Sequence, residues 1–216
     1  MISLAVVFYI FVFFFALIGG LRGWAKELIV IFSVVLSLFV IWVFESYIGI
    51  VSTPFVTLDK KYGYVAQDVQ ADIVVIPPEE LVKFRDLPND SARSEYRTQF
   101  WVRTSVVIVV VFFGYQTPAV LARLGRSAGR EKIQDFLLGL VLGGVNGYLV
   151  MGTLWSYMHS AHYLFEPYII SPTSEDPLME TARTLISLLP PAWLSTTPII
   201  FVAISLAFLF VLVVFI

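Results

Sequence analysis

The sequence predicts an all-α, polytopic membrane protein: a helix bundle of about five transmembrane helices, including a glycine-cornered N-terminal hairpin. Three observations predict it. Hydrophobic residues make up 58% of the 216 residues and charged residues 14%, against about 25% charged in an average soluble domain. Several uncharged runs approach the length of about 20 residues that crosses a bilayer core. Glycines recur every fourth residue in one of these runs, at Gly139, Gly143 and Gly147, and Gly19 and Gly23 share that spacing just after the first, the spacing that lets helices approach closely in lipid.

The first run, Met1 to Ile18, is uncharged and crowded with phenylalanine. It has no Lys or Arg ahead of its apolar stretch and no small-x-small site after it, so a retained span is expected rather than a secretory signal. The corner follows: Gly19, Gly20, Leu21, Arg22, Gly23, Trp24, Ala25, Lys26 and Glu27. Gly19, Gly20 and Gly23 allow sharp bending or close packing there. Arg22, Lys26 and Glu27 cannot sit cheaply in hydrocarbon, where a charge costs roughly 2.5 to 3.5 kcal/mol on insertion scales. The corner therefore belongs at a membrane surface or in a protein-lined notch. A second span runs from about Leu28 to Phe44, with Trp42, Glu45 and Tyr47 at its far interface.

Residues 47–100 form a long polar extracytoplasmic loop within a single membrane domain covering 1–216. Asp72 to Ile76 reads as a short extended segment. Pro77 to Phe84 reads as a helix start, with prolines first and acids in the first turn. Asn89, Asp90 or Ser91 is placed to cap a helix leading into a third span, about Trp101 to Ala119. Arg103 near its entrance is expected to snorkel to the interface. Pro118 reads as the mark of a helix about to end, a kink lining a cavity being the other reading.

A basic loop follows, with Arg123, Arg126, Arg130 and Lys132. Its glycines, Gly125 and Gly129, do not have the spacing of a phosphate-binding loop, so lipid headgroups are the expected partners. The fourth span, Phe136 to Tyr157, carries Gly139, Gly143 and Gly147 on one face. Asn146 beside them should seek a partner on another helix. Ser195, Thr196 or Thr197 with Pro198 then opens a fifth helix reaching Ile216. Counting Lys and Arg in the short loops places the corner and the basic loop in the cytoplasm, with the N-terminus outside.

An apolar span, then Arg22-Gly23 and, four residues on, Glu27-Leu28 opening a second span, resembles the colicin V production (CvpA) family of bacterial inner-membrane proteins. The second half agrees, with a basic loop and Asp135 ahead of Gly139, Gly143 and Gly147. The resemblance covers about Met1 to Tyr157 apart from the long loop. Asn146 stands where that family often has a basic residue, and the fifth span goes beyond the usual four. Membership implies a role in toxin production or export, or in envelope processes, in the inner membrane, and it does not specify a reaction.

Net charge of −2 gives no global attraction to nucleic acid. With no cysteine in the chain, disulfides, thiolate nucleophiles and Cys-ligated zinc are excluded. His159, His162 and Glu166 would share one face of a continuous helix, but they lack metalloprotease spacing; they read as interfacial polar residues. No metal, cofactor or catalytic set is expected. Arg22 and Glu27 lie about 140° apart on an unbroken helix, so they meet only if the backbone breaks near Gly23. The structural reading makes them interfacial charges that orient the hairpin, with Asp135 as partner of Arg22 or Lys26. The functional reading places Arg22, Glu27 and Asp135 on the path of a small channel or transporter. A non-enzymatic scaffold or accessory protein is the leading expectation, binding itself or other membrane proteins through its glycine faces.

The alternating topology is testable because no native thiol interferes. Single cysteines at Gly125 and Ser174 should react with an impermeant reagent from opposite faces of the membrane. Labelling of both from one side of intact cells would refute the five-span order.

Overall fold

The structure is a computed structural model; it describes residues 2–48, 54–70, 73–116, 132–172 and 178–215. The helices, numbered along these residues, are α1 (Leu4–Arg22), α2 (Trp24–Val43), α3 (Phe55–Tyr62), α4 (Asp90–Gln116), α5 (Lys132–Ser160), α6 (Met179–Leu188), α7 (Pro190–Leu194) and α8 (Ile199–Phe215). Among the described residues four helices are long and apolar enough to cross a membrane, or up to five if the bent pair Met179–Leu194 and Ile199–Val213, angled at 74°, forms one span. Among the described residues the β structure is a pair of two-residue strands, β1 (Ile2–Ser3) and β2 (Ile169–Ile170), which run parallel.

Helix α5 is the hub. Its main partner is α1, and it also packs against α2, α4 and α7. The α1–α5 seam is where the two glycine-rich runs meet. A Cβ on Gly143 would lie 2.4 Å from the Phe15 carbonyl oxygen and 2.8 Å from Gly19 Cα; on Gly139 it would lie 2.3 Å from the Gly19 oxygen. Gly147 faces Val12 and Phe15 in the same way, and Gly20 lies under the Phe136 ring. The glycine faces expected to receive partners are thus occupied within the chain. Small residues have this effect because removing Cβ lets two backbones reach dispersion contact.

The α1–α2 corner is a single-residue break. Gly23 has φ 87° and ψ 153°, a region that side-chain-bearing residues rarely adopt, and its N–H still bonds the Gly19 carbonyl at 2.9 Å. No heavy atom lies near a Cβ built on it, so Gly23 is required by conformation, unlike Gly19 and Gly139. The two arms of the expected hairpin touch only slightly; each packs instead on α5, and α2 also packs on α4 and α8. A second small-residue contact brings α4 to α2, where a Cβ on Gly114 would meet Ser33 Oγ at 2.1 Å.

The polar loop differs from expectation in three places. Phe55–Tyr62 is helical, closed by Gly63 in the left-handed region. Pro77 to Phe84 is not a helix: it makes a turn, with Glu80 N–H bonding the Pro77 carbonyl at 3.0 Å, and then leads into the 3-10 turn Phe84–Asp86. Its acids cap no helix: the Glu79 carboxylate pairs with Arg183 at 3.3 Å instead. Ile73 to Ile76 is irregular rather than a strand. The expected cap is present, since Asn89 Oδ1 accepts from the Ala92 N–H at 2.7 Å, and α4 continues from there to Gln116 without interruption. Phe55, Leu58 and Leu87 join the same buried cluster as Val34, Leu38, Val107 and Leu149. The loop is therefore docked on the bundle's own core.

Arg123, Arg126 and Arg130, with Pro118, Gly125 and Ser174, lie outside the described residues. Lys132 opens α5.

Gly143→Leu should destabilise the protein by more than the roughly 1–3 kcal/mol usual for overpacking, because the clash is with backbone. Val141, which is exposed, should accept leucine with little change. Equal melting temperatures for the two variants in detergent would refute the seam.

Candidate functional site

The corner gathers residues from four helices. The break at Gly23 turns the start of α2 so that Arg22 Nη1 lies 2.8 Å from Glu27 Oε1. The pair that an unbroken helix would hold apart is thereby joined. Glu27 is fully buried. Its second oxygen, Oε2, accepts from Asn146 Nδ2 at 2.8 Å, and the same nitrogen bonds the Glu27 carbonyl at 2.9 Å. An ionised carboxylate only accepts hydrogen bonds, which fixes the amide nitrogen toward it. Asn146 thus finds the interhelical partner expected of it; its Oδ1 is buried without a hydrogen bond among the described residues.

Arg22 is held from a third side. Its Nη2 donates to the Tyr115 carbonyl at 3.1 Å near the end of α4, and its Cζ sits 4.4 Å from the Tyr115 ring centroid. A guanidinium can do both because its donors lie in its plane and its face is free to stack. Asp135, expected beside Arg22 or Lys26, instead accepts from Trp24 Nε1 at 3.0 Å. That bond ties the first turn of α5 to the first residue of α2. Lys26 is half-buried and makes no ion pair among the described residues.

A second buried ion pair lies at the opposite end of the bundle. Arg103 is 4% exposed, and its Nε and Nη2 lie 2.6 and 2.5 Å from Glu45 Oε1. Arg103 does not snorkel outward. Glu45 belongs to a π-helical turn, Phe44–Ile48, that ends α2, and the wider turn carries it toward α4. In the sequence the two residues stand as separate interfacial charges. Their opposite signs at the same end of neighbouring spans were the signal for pairing them.

The histidines are also buried rather than interfacial. Helix α5 ends at Ser160, and His162 and Tyr163 take φ of 59° and 54°, which breaks the face that His159, His162 and Glu166 would have shared. His159 Nε2 lies 2.6 Å from the Ile76 carbonyl oxygen, so that nitrogen carries the proton. Its Nδ1 then accepts from the Tyr163 hydroxyl at 3.2 Å, which itself accepts from Trp155 Nε1 at 3.1 Å. His162 Nδ1 donates to the Val82 carbonyl at 2.8 Å. The two rings thus pin the long loop by its carbonyls. Asp59 nearby accepts from the Tyr96 hydroxyl at 2.8 Å, and burial, followed by the charge of Asp59, raises the pKa of the Tyr64 phenol. Glu166 bonds Ser171 instead of a histidine. No cluster of His, Asp or Glu suited to a metal ion occurs among the described residues.

No family model, curated protein or solved structure matches this chain.

The two sides of the corner pair should respond unequally to mutation. Arg22→Met leaves a buried carboxylate without its cation, a loss of about 3–5 kcal/mol for a buried pair. Glu27→Gln keeps an acceptor against one neighbour and turns an NH2 donor toward the other donor, a smaller loss, and it leaves Arg22, which is 20% exposed, able to reach water. Chemical or thermal unfolding should rank Arg22→Met as the less stable variant; the reverse order would refute the account of the pair.

Proposed function

We propose that the chain is a multi-pass membrane protein that acts as a scaffold or accessory factor, with the Arg22–Glu27–Asn146 network as the lock that holds its helices in register. The observation that carries this reading is the closure of the network. Glu27 is fully buried and both of its carboxylate oxygens are engaged by groups of the same chain. A conducting carboxylate needs an exchangeable proton or ion at an accessible oxygen, and this one is committed to packing.

The outer surface supports placement in a bilayer. Tyr9, Phe13, Phe14 and Leu21 on α1, Phe112 and Phe113 on α4, and Leu206, Phe208 and Val213 on α8 are all exposed. Soluble proteins seldom show apolar patches of more than a few hundred Å². Because the glycine faces are filled from within, contact with a second copy or with other membrane proteins would use these outward surfaces. The resemblance to the CvpA family, carried by Arg22, Gly23, Glu27, Asp135 and the α5 glycines, points to toxin production or export, or another envelope process, at a bacterial inner membrane. The competing reading is a small channel or transporter working through Arg22, Glu27 and Asp135.

Flux measured in liposomes containing only this protein separates the two. A scaffold shows no flux in wild type or Glu27→Gln, and the variant supports its pathway with modest loss. Wild-type flux that disappears in Glu27→Gln, while the variant remains folded, would overturn the scaffold reading.

A further inference from the structure

We propose that His162 and Asp59 form a proton-operated latch: a proton taken up between them ties helix α3 of the polar loop to the bundle, and its loss loosens that tie. His162 lies just past the end of α5 and grips the loop at two adjacent points. Its Nδ1 donates to the Val82 carbonyl at 2.8 Å, and its own carbonyl accepts from the Phe84 N–H at 3.2 Å. Its left-handed backbone, at φ 59°, is a conformation that persists only where surrounding contacts enforce it.

The remaining ring nitrogen, Nε2, is buried with no hydrogen-bond partner among the described residues. Asp59 Oδ1 lies 3.9 Å from it, on a side chain that is itself 2% exposed. A carbonyl can only accept, so Nδ1 carries the proton of the neutral ring and Nε2 is then a bare acceptor. An imidazole lone pair and a carboxylate thus face each other, and burial keeps solvent from satisfying either. One added proton resolves the conflict. On Nε2 it turns the ring into a donor toward Oδ1 and gives the buried carboxylate a counterion. The proton belongs to the pair, because two groups this close titrate together. The hold on Val82 needs only the Nδ1–H and is the same in both forms; what the proton adds is the tie to α3.

His159 makes the opposite case. Both of its nitrogens are matched in the neutral ring, Nε2 to the Ile76 carbonyl and Nδ1 to the Tyr163 hydroxyl, so it gains nothing from a second proton. The other titratable groups around His162 are phenols. Tyr96 comes from α4 and Tyr64 from the turn after α3, with ring centroids 4.6 and 5.0 Å from the imidazole. Tyr62 packs on Tyr96 at 6.0 Å, and the Tyr96 hydroxyl donates to Asp59 Oδ1 at 2.8 Å. Lys83 follows Val82 in the gripped segment. Phenols and lysines ordinarily keep one charge state between about pH 5 and 8, the range in which histidine changes its own. The response over that range therefore falls to the His162–Asp59 pair.

The test reads backbone hydrogen exchange of the full chain in detergent, corrected for the intrinsic effect of pH on amide exchange. Residues 55–64 report the latch and residues 4–22 serve as control. In the wild type, residues 55–64 should exchange about tenfold more slowly at about pH 5.5 than at about pH 8, the size of one buried acceptor left unmatched. The control segment should not change. His162→Gln cannot take up the proton, and Asp59→Asn keeps an acceptor for Tyr96 but loses the carboxylate; in each, the two pH values should give the same exchange. Imidazole NMR signals of the wild type need no variant to fold, and one histidine should change charge over the range in which the loop tightens. Exchange that is unchanged or slower at pH 8, a pH dependence that survives both substitutions, or two histidines that do not titrate there would overturn the proposal. The latch depends neither on the scaffold reading nor on the flux comparison, so the two fail separately.

Discussion

A carboxylate with no access to water must be surrounded by donors, and that requirement at Glu27 organises the bundle. Its donors come from two directions, a guanidinium at the end of the preceding helix and an amide from α5. The first is possible only because Gly23 breaks the helix. The second is possible only because α5 lies close to the corner, which in turn depends on Gly139 and Gly143 meeting Gly19 backbone to backbone. Charge pairing and glycine packing are therefore one device: the close seam brings Asn146 within reach, and the carboxylate gives the seam a fixed register. Apolar packing alone would tolerate sliding along the groove, whereas a buried ion pair with directed hydrogen bonds does not.

The far end of the bundle is organised differently. There the polar loop covers α4 and α5, and its irregular backbone is held by side chains that reach its carbonyls: His159 to Ile76 and His162 to Val82. Buried backbone acceptors need partners, and a loop without a ladder must take them from side chains. This explains why two histidines sit in an otherwise aromatic segment, and why their contribution depends on ring nitrogens rather than on charge.

Much of this was legible in the sequence. The long helices follow from uncharged length and a cap within Asn89 to Ser91 from local chemistry, whereas for Arg22 and Glu27 helix arithmetic sets only the condition, a break near Gly23, under which they meet. The glycine runs are legible as packing surfaces, but nothing in the spacing of either one pairs it with the other. Partner identity across the chain is not encoded in spacing. The same limit hid the Arg103–Glu45 pair and gave Asp135 the wrong neighbour, since Trp24 competes for it with an indole N–H that no charge count registers. Helix Phe55–Tyr62 escaped because its short amphipathic face is disguised by Lys60 and Lys61, while Pro77 to Phe84 had the opening residues of a helix with nothing to sustain one.

The one-residue break at Gly23 also sets two helix termini back to back, and this gives the corner a polarity. The carbonyl end of α1 carries partial negative charge and the amide end of α2 partial positive charge. Arg22 occupies the last turn of α1 and Glu27 the first turn of α2, so each ion complements the dipole of its own helix as well as its partner. Exchanging the two residues would preserve the Coulomb attraction between them and oppose both dipoles. The order arginine, glycine, glutamate along the chain is thus an electrostatic direction, not only a pair of opposite charges.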